Sequence, residues 1–396
     1  MSELTSMTSM TSMTSMTSMT SMTSMGSYGN PAALGALAGF SGDPLLTDAL
    51  IRSRTRSLPP DGAPPWNRAP GSGWGEGELP IPSAALVDHW QPAVRAHVAL
   101  QALQRSVHFG TKTGDAGAVS ASISHLDLGS EALDSETRRL SIGWLPIATL
   151  VRPSRAVFDV QVDKVVDHAR SDGRRHRAPE ILTQVLPQVP FWNSIVPMSP
   201  WRNPFSYEFL GIALHFGMQI THRFKHAFAV PRPNELSVHV QPILQTPGWS
   251  ALPSGHATEA YMAARLLRAM LGQDDRSRVH AALQKQAQSI ADNRVYAGLH
   301  YPVDSLAGQI LGETLAEYVL SRCTQSPTPW TPRTFAGTDD VLSSLDFKPL
   351  EHSMATAQPW LTLGTPAAGA SADALLSHLW KKACAEWRAV GFEPTV

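Results

Sequence analysis

The sequence has few cysteines, almost no excess charge and no long apolar run, and each shortage excludes a class of protein. Cys323 and Cys384 are the only cysteines among 396 residues, too few for a disulfide-stapled secreted scaffold. The 32 basic and 33 acidic side chains leave a net charge of -1, so no overall field attracts nucleic acid or an anionic membrane. The most apolar run, residues 209–220, is shorter than the roughly 20 residues that a membrane-spanning helix needs. We therefore expect a soluble, cytoplasmic protein with neither a nucleic-acid partner nor a membrane association.

The first residues carry neither a targeting signal nor a folding pattern. Residues 5–25 repeat the triplet Thr-Ser-Met, which has no basic start, apolar centre or cleavage site of a secretory signal. The repeat buries too little apolar surface to offset the entropy of ordering it. We expect residues 1–26 to be a disordered, dispensable tail and the Gly- and Pro-rich residues 27–82 to be an irregular segment.

The rest of the chain has the composition of a globular protein, with 43% hydrophobic and 16% charged residues. Apolar residues recur at helical spacing. Helices are predicted from about residue 83 and over residues 135–151, 154–169, 178–185, 205–229, 255–270, 277–296, 302–320 and 372–390. No strand pattern recurs, so we expect a mainly α fold, an irregular multi-helix bundle. The predicted units are a helical catalytic domain over 83–322, an irregular wrapping segment over 323–371, and a C-terminal helix over 372–396 that packs on the core.

The motif Pro253-Ser254-Gly255-His256 directly precedes the helix predicted over residues 255–270. The serine hydroxyl and the free N–H groups of a first helical turn form a seat for an anion, and glycine lets the backbone approach closely. His256 then lies at the edge of that seat. The motif therefore predicts an anion-binding site.

Three basic side chains supply the positive charge that an oxyanion requires. Lys225 and Arg232 are two helical turns apart and would share one face if the helix extends that far. Arg294 adds a planar fork of donors near the end of another predicted helix. Fixed charge and convergent donors are what a tetrahedral or trigonal-bipyramidal oxyanion needs.

His300 and Asp304 flank the start of the helix that begins near Pro302. Their spacing lets the carboxylate orient the imidazole through its ring N–H. Taken singly, these residues have ordinary explanations: a solvated basic face, an N-cap serine, a surface ion pair and structural histidines. Those explanations do not account for the order and spacing of all three segments together.

In that order and spacing the chain resembles the superfamily of vanadium-dependent haloperoxidases and type 2 phosphatidic acid phosphatases. The resemblance covers roughly residues 205–316. The residues that carry it are Lys225 with Arg232-Pro233, then Pro253-Ser254-Gly255-His256, then Asn293-Arg294, His300 and Asp304. One position departs from the pattern, because Asn293 stands where the family has serine.

The resemblance implies two alternative chemistries for one pocket. In the first, the cofactor is vanadate and the partners are hydrogen peroxide and halide. His300 then binds vanadium, and His256 moves protons. The remaining residues assigned to the oxyanion are Lys225, Arg232 and Arg294, which neutralise its oxygens, and Ser254 and Gly255, which donate hydrogen bonds to it.

In the second chemistry the protein is a soluble phosphomonoesterase that needs no cofactor. His300 is then the nucleophile that forms a phosphohistidine, His256 protonates the leaving alcohol of a phosphate monoester, and Asp304 orients His300.

We favour the vanadate-dependent haloperoxidase-like oxidoreductase, because the chain has long helical flanks, no set of membrane spans and no secretory signal. The resemblance also places His222 and Trp249 in the halide environment, where Trp249 would wall an apolar pocket. A homo-oligomer is left open, because the C-terminal helix could pack on a second copy or on its own core.

Overall fold

The structure of the protein is a computed structural model that describes residues 48–49, 52–53, 84–114, 117–127, 143–185, 188–272, 278–324, 329–346, 354–367 and 371–394. The predicted tail over residues 1–26 and nearly all of the predicted irregular segment over 27–82 lie outside the described residues.

The described part of the chain is mainly helical, as predicted. A 3₁₀ helix over Ala84–His89 precedes the first α-helix. The α-helices are α1 (Pro92–Gln104), α2 (Arg155–Arg170), α3 (Asp172–Thr183), α4 (Val189–Asn193), α5 (Pro204–Phe228), α6 (Pro233–Leu236), α7 (Gly255–Leu271), α8 (Arg278–Tyr296), α9 (Pro302–Cys323), α10 (Asp339–Ser344) and α11 (Ala374–Arg388). Proline occupies the first turn of α1, α5 and α9, where the missing N–H costs no helical hydrogen bond. No helix in the described ranges is long and apolar enough to cross a membrane.

A five-stranded sheet is the main departure from the predicted bundle. Its strands are β1 (Val107–Thr113), β2 (Val119–Asp127), β3 (Gly143–Val151), β4 (Arg333–Phe335) and β5 (Leu361–Leu363), in the spatial order β1-β2-β3-β4-β5. All pairs are antiparallel except β3 with β4, which is parallel. The pairing of β3 with β4 joins the part of the chain before α2 to the part after α9.

The helix predicted over residues 135–151 is wrong, because residues 143–151 form β3. The statement that no strand pattern recurs is also wrong. In β2 the buried Ala121 and Ile123 alternate with half-buried serines, which is the period of a strand with one face on the core. Residues 83–322 are therefore not purely helical, and residues 323–371 contain β4, β5 and α10 rather than loop alone.

The helix predicted over residues 178–185 begins earlier, because α3 starts at Asp172 and Pro179 lies inside it. In the segment that follows α3, Trp192 is buried, whereas Trp201 is 74% exposed.

Helix α7 lies at the centre of the fold, between α5, α8 and α9. It approaches α9 so closely that side chains are excluded at the contact. A Cβ added to Gly308 would lie 2.6 Å from the carbonyl oxygen of Ser254, and one added to Gly312 would lie 2.3 Å from that of Thr258. The close contact places the Pro253–His256 motif directly against the helix that follows His300.

Helix α11 packs on α5 and α9 through buried aromatic residues. The rings of Phe209 and Trp380 lie 5.0 Å apart, and Trp387 Nε1 donates to Ser206 Oγ at 2.9 Å. Cys384 on this helix and Cys323 at the end of α9 are both buried, free thiols. The first turns of α5, the helix that carries Lys225 near its other end, are therefore covered by α11.

Candidate functional site

Eight of the ten predicted site residues line one cavity of about 60 Å³ at the ends of α5 and α8 and the starts of α7 and α9. They are Lys225, Arg232, Gly255, His256, Arg294 and His300, together with the predicted wall residues His222 and Trp249. Asp304 lies behind the lining and is hydrogen-bonded to His300, and Ser254 lies behind it in turn, hydrogen-bonded to Asp304. Residues far apart in the sequence therefore meet at a single place.

Lys225 reaches the cavity from the last turn of α5 and is 3% exposed. Its Nζ donates to the carbonyl oxygens of Ser250 and Ala251, both at 2.9 Å, so the loop before the motif fixes the ammonium group. Burial, followed by the charge of Arg232, holds the pKa of Lys225 well below its usual range. An anion beside the ammonium group would offset both effects.

Arg232 does not share a helix face with Lys225, contrary to the sequence prediction. Helix α5 ends at Phe228, and Ala229 adopts the left-handed conformation with φ 49°, which turns the chain toward the cavity. The guanidinium then donates from Nε to the carbonyl of Trp249 at 2.9 Å and from NH1 to that of Leu299, also at 2.9 Å. An extended segment, rather than a continuation of helix α5, thus brings the guanidinium of Arg232 to the cavity.

His300 is hydrogen-bonded at both ring nitrogens. Arg232 NH1 lies 3.0 Å from Nε2, and Asp304 Oδ2 lies 3.0 Å from Nδ1. Arginine only donates, so Nε2 accepts and the ring proton is on Nδ1, where it is donated to the carboxylate. Burial and the charges of Arg232 and Lys225 hold the pKa of His300 well below its usual range, so the ring is neutral.

Asp304 connects His300 to the Pro253–His256 motif. Its Oδ2 also accepts the N–H of Tyr301 at 3.0 Å, and its backbone carbonyl accepts the N–H of Ser254 at 2.9 Å. Burial raises the pKa of this carboxyl to about 7. The carboxylate therefore orients the imidazole from behind the cavity.

Ser254 is the N-cap of α7 in this structure. Its Oγ accepts from the N–H of Ala257 at 3.4 Å, and the side chain is fully buried behind the cavity lining. The hydroxyl thus has the ordinary capping role that the sequence also allowed. Gly255, the next residue, does line the cavity.

His256 is held by the backbone at the end of α3. Its Nε2 lies 3.2 Å from the carbonyl oxygen of Gln184, which only accepts, so the ring proton is on Nε2. Burial and the nearby charge of Arg294 lower the pKa of His256 to about 3. In the anion-free cavity His256 is therefore neutral, with a free lone pair on Nδ1.

Arg294 has donors that no described residue accepts from. NH2 donates to the carbonyl of Ile181 at 3.1 Å and to Oε1 of Gln184 at 3.2 Å. Nε and NH1 are buried without a hydrogen-bond partner in the described part of the chain. Unpaired buried donors on a charged group are costly, and an oxyanion in the cavity would satisfy them.

Asn293, the position that departs from the family pattern, turns away from the cavity. Its Nδ2 donates to Glu180 Oε2 at 2.8 Å and to Gln184 Oε1 at 2.9 Å, and its Oδ1 accepts from Arg177 NH1 at 2.9 Å. All three partners belong to α3 or to the residue after it. Asn293 therefore joins α3 to α8, and with it the carbonyls that hold His256 and Arg294.

His222 and Trp249 add two neighbouring rings to the lining of the cavity. Their centroids are 5.6 Å apart with an interplanar angle of 70°. His222 Nδ1 donates to the carbonyl of Met218 at 2.9 Å, and burial lowers the pKa of this histidine. The cavity is thus lined by three cations and by a pair of uncharged rings.

Two contributors were missed from the sequence. Glu259 lines the cavity one helical turn after His256, a spacing that was visible in the sequence. Gln184 contributes through its backbone carbonyl and its amide, for which the sequence carries no signal.

Two comparisons with known proteins found a match. Residues 207–326 match the family model of the PAP2 superfamily, and this range includes every predicted site residue. Among solved structures, the chain is similar to a protein described as the first bacterial vanadium-dependent iodoperoxidase, with 20% identity and a TM-score of 0.32. The likeness covers 41% of this chain and 46% of that chain, so it spans less than half of that protein. No curated protein matches the chain. Residues 207–326 are a PAP2 superfamily domain.

Proposed function

We propose that the cavity binds a tetrahedral oxyanion and that the protein is a vanadate-dependent peroxidase that uses hydrogen peroxide to oxidise halide. The binding part of this proposal is supported by the two unpaired nitrogens of Arg294 and by the charges of Lys225 and Arg232. These groups are fixed in place before any ligand arrives.

The residues fit vanadate. The donors that would hold its oxygens belong to Lys225, Arg232, Arg294 and the first turn of α7, and His300 would offer the Nε2 lone pair that Arg232 now engages. Vanadate, when bound, would supply the activation of hydrogen peroxide toward attack by halide. Asp304 would keep the Nδ1 proton in place, so that Nε2 stays available.

The observation that carries the proposal is that charged donors and a pair of rings line the same cavity. Lys225, Arg232 and Arg294 supply the charge, and His222 and Trp249 supply the rings. The cations would hold the oxyanion, and the rings would form the wall beside which halide is oxidised.

His256 has the protonation state that peroxide chemistry requires. It is neutral, and its Nδ1 lone pair is free because Nε2 donates to Gln184. A neutral imidazole accepts the proton that hydrogen peroxide must lose.

The second candidate, a phosphomonoesterase, is favoured by one observation, the carboxyl of Glu259. Its pKa is raised to about 8 by burial, so it is protonated at neutral pH and could donate to a leaving alcohol that neutral His256 would not protonate. In that chemistry His300 attacks phosphorus through Nε2, while the three cations stabilise the transferring group.

Two assays on one purified sample separate these functions. The peroxidase predicts vanadate-dependent bromination of a dione by peroxide, with no hydrolysis of an aryl phosphate in metal-free buffer. Hydrolysis without bromination would replace the first function with the second.

The variants His300→Ala and His256→Ala should abolish the activity found, whereas His226→Ala, an exposed histidine on α5, should retain it. Full activity in both site variants would refute the site itself.

A further inference from the structure

Glu259 is a buried carboxyl inside a cavity otherwise provided with cations and neutral rings. It lies on α7 one turn after His256, lines the same cavity, and is 8% exposed. No hydrogen bond joins its side chain to any described residue. A carboxylate at this place would repel the anion that the surrounding groups attract.

The groups that face the cavity with Glu259 come from every element around it. They are His222 and Lys225 on α5, Arg232 after it, His256 on α7, Arg294 on α8 and His300 before α9. Of these, Lys225 is the charge that acts on Glu259, and it does so by favouring the ionised carboxylate. Without a ligand, Lys225 and an ionised Glu259 therefore attract one another across the cavity.

We propose that the cavity binds an oxyanion with Glu259 as a carboxylic acid, whose O–H donates to an anion oxygen, and that Glu259 takes up a proton from solvent on binding wherever the pH has ionised it beforehand. The inference rests on the proposed oxyanion site and adds the protonation state in which that site works. In the proton balance, the carboxylate of Glu259 and one solvent proton form one carboxylic acid, and the bound anion takes the place of that carboxylate as the partner of Lys225. Glu259 thereby changes from a repelling acceptor to a donor.

Two observations support this exchange. Burial already raises the pKa of Glu259 to about 8, and an anion beside it raises that pKa further, because the charge of Lys225 is then neutralised. Because no described residue forms a hydrogen bond with the Glu259 side chain, the carboxyl is available to bond to a ligand. The pocket would consequently select an anion together with a proton.

Sulfate is a suitable probe because it is tetrahedral and does not titrate near neutral pH. Calorimetry of sulfate binding at about pH 8.5, in buffers of different ionisation enthalpy, should show uptake of close to one proton by the wild-type protein. Sulfate affinity should fall roughly tenfold between about pH 7.5 and 9.

Glu259→Gln should bind sulfate without proton uptake, and its affinity should change less than about twofold over the same range. Glu313→Gln is the matched control, because Glu313 is also a buried glutamate with a raised pKa but lies outside the cavity. It should behave as the wild type does. Glu259→Met offers the same test if the glutamine variant fails to fold, and it too should bind sulfate without proton uptake.

The outcomes separate this inference from the proposed site. Proton uptake that persists in Glu259→Gln assigns the proton to Lys225 or a histidine and overturns the inference. Wild-type binding without proton uptake also overturns it, while the oxyanion site stands. A protein that binds no sulfate at any pH refutes the oxyanion site and this inference together.

Discussion

Arg232 NH1 lies 3.0 Å from Nε2 of His300, in a hydrogen bond in which only the arginine can donate. This one contact fixes the tautomer of the imidazole, because the proton must then be on Nδ1, where Asp304 accepts it. The lone pair of His300 that would bind a ligand is thus on Nε2, and it faces the guanidinium of Arg232. Displacing Arg232 by an anion would leave the ring orientation unchanged.

The first prediction concerns Asp304→Asn. An asparagine can donate to Nδ1 and so permits the wrong tautomer, which should lower turnover by about 10- to 100-fold. Sulfate affinity should change little, because Asp304 does not line the cavity. Steady-state kinetics and calorimetry on the same sample measure the two effects, with the exposed Asp159→Asn as control. Equal turnover in the two variants would contradict the orienting role.

The second prediction concerns Arg294→Lys. Lysine keeps the charge but loses the planar fork, including the two nitrogens that have no partner among the described residues. Charge-assisted hydrogen bonds of this kind contribute about 1.5–3 kcal/mol, so sulfate affinity should fall about tenfold or more. Arg155→Lys, at an exposed site on α2, should leave the affinity unchanged. An unaltered affinity in Arg294→Lys would mean that the unpaired nitrogens do not face the anion.

The third prediction concerns Trp249→Ala. The backbone carbonyl that holds Arg232 is retained, so anion binding should persist within about threefold, whereas the loss of one of the two rings that line the cavity should lower halide oxidation about tenfold. The comparison is between the KM for halide and the Kd for sulfate. Trp201→Ala removes an exposed tryptophan and should alter neither quantity. A parallel loss of both in Trp249→Ala would make this residue part of the anion site instead.

The fourth prediction concerns Gly308→Ala on α9. The added methyl would lie 2.6 Å from the carbonyl oxygen of Ser254, so the helices must separate and the free energy of unfolding should fall by about 1–3 kcal/mol. Denaturant titration measures this change. At Gly248 an added Cβ meets no atom within 4 Å, so Gly248→Ala serves as the control. Equal stability of the two variants would show that the close contact is not maintained in solution.

The fifth prediction is a dependence of stability on pH. Glutamate titrates near pH 4.3 in an unfolded chain, whereas burial raises the pKa of Glu259 to about 8 in the folded protein. Between these values the folded state holds a proton that the unfolded state has released, so stability falls as pH rises. From about pH 6.5 to 8 the wild type should lose about 1.5 kcal/mol that Glu259→Gln does not lose.

That window avoids the opposite effect of the buried histidines. The lowered pKa of His256 and His300 destabilises the fold only as pH falls below about 6.5, where the unfolded histidines gain protons. Denaturant titrations at several pH values give the slopes for the wild type and for Glu259→Gln. Identical slopes would contradict the raised pKa.

The sequence predicted the helices that carry the candidate site well because their signals are local. Continuous helical periodicity defined α5, α7, α8 and α9 to within a few residues, and Pro302 marked the first turn of α9. The hydrogen bond between His300 and Asp304 also follows from local spacing. The other site residues were predicted from the order and spacing of three motifs and, for His222 and Trp249, from the family resemblance.

What sequence reasoning missed has two causes, a weak local signal and contacts between distant segments. The strand alternation in β2 was present, but serine fills every second position from 120 to 124 and only Val119 and Ile123 are β-branched, so it was overlooked. The route of the chain to Arg232 depends on a left-handed Ala229, a conformation that alanine rarely adopts. The hydrogen bonds of Gln184 with His256 and Arg294 join segments that are more than 70 residues apart in the sequence.

The side-chain-free contact of Gly308 and Gly312 with the start of α7 has a mechanical consequence. It joins the two helices backbone to backbone, so the anion seat and the histidine that faces it belong to one stiff unit rather than to two parts that close on each other. Anion binding then requires little reorganisation of the protein. Little of the free energy of the contacts with the anion is used to close the site, so more of it contributes to affinity. The backbones of the empty and anion-bound protein should superimpose at this junction.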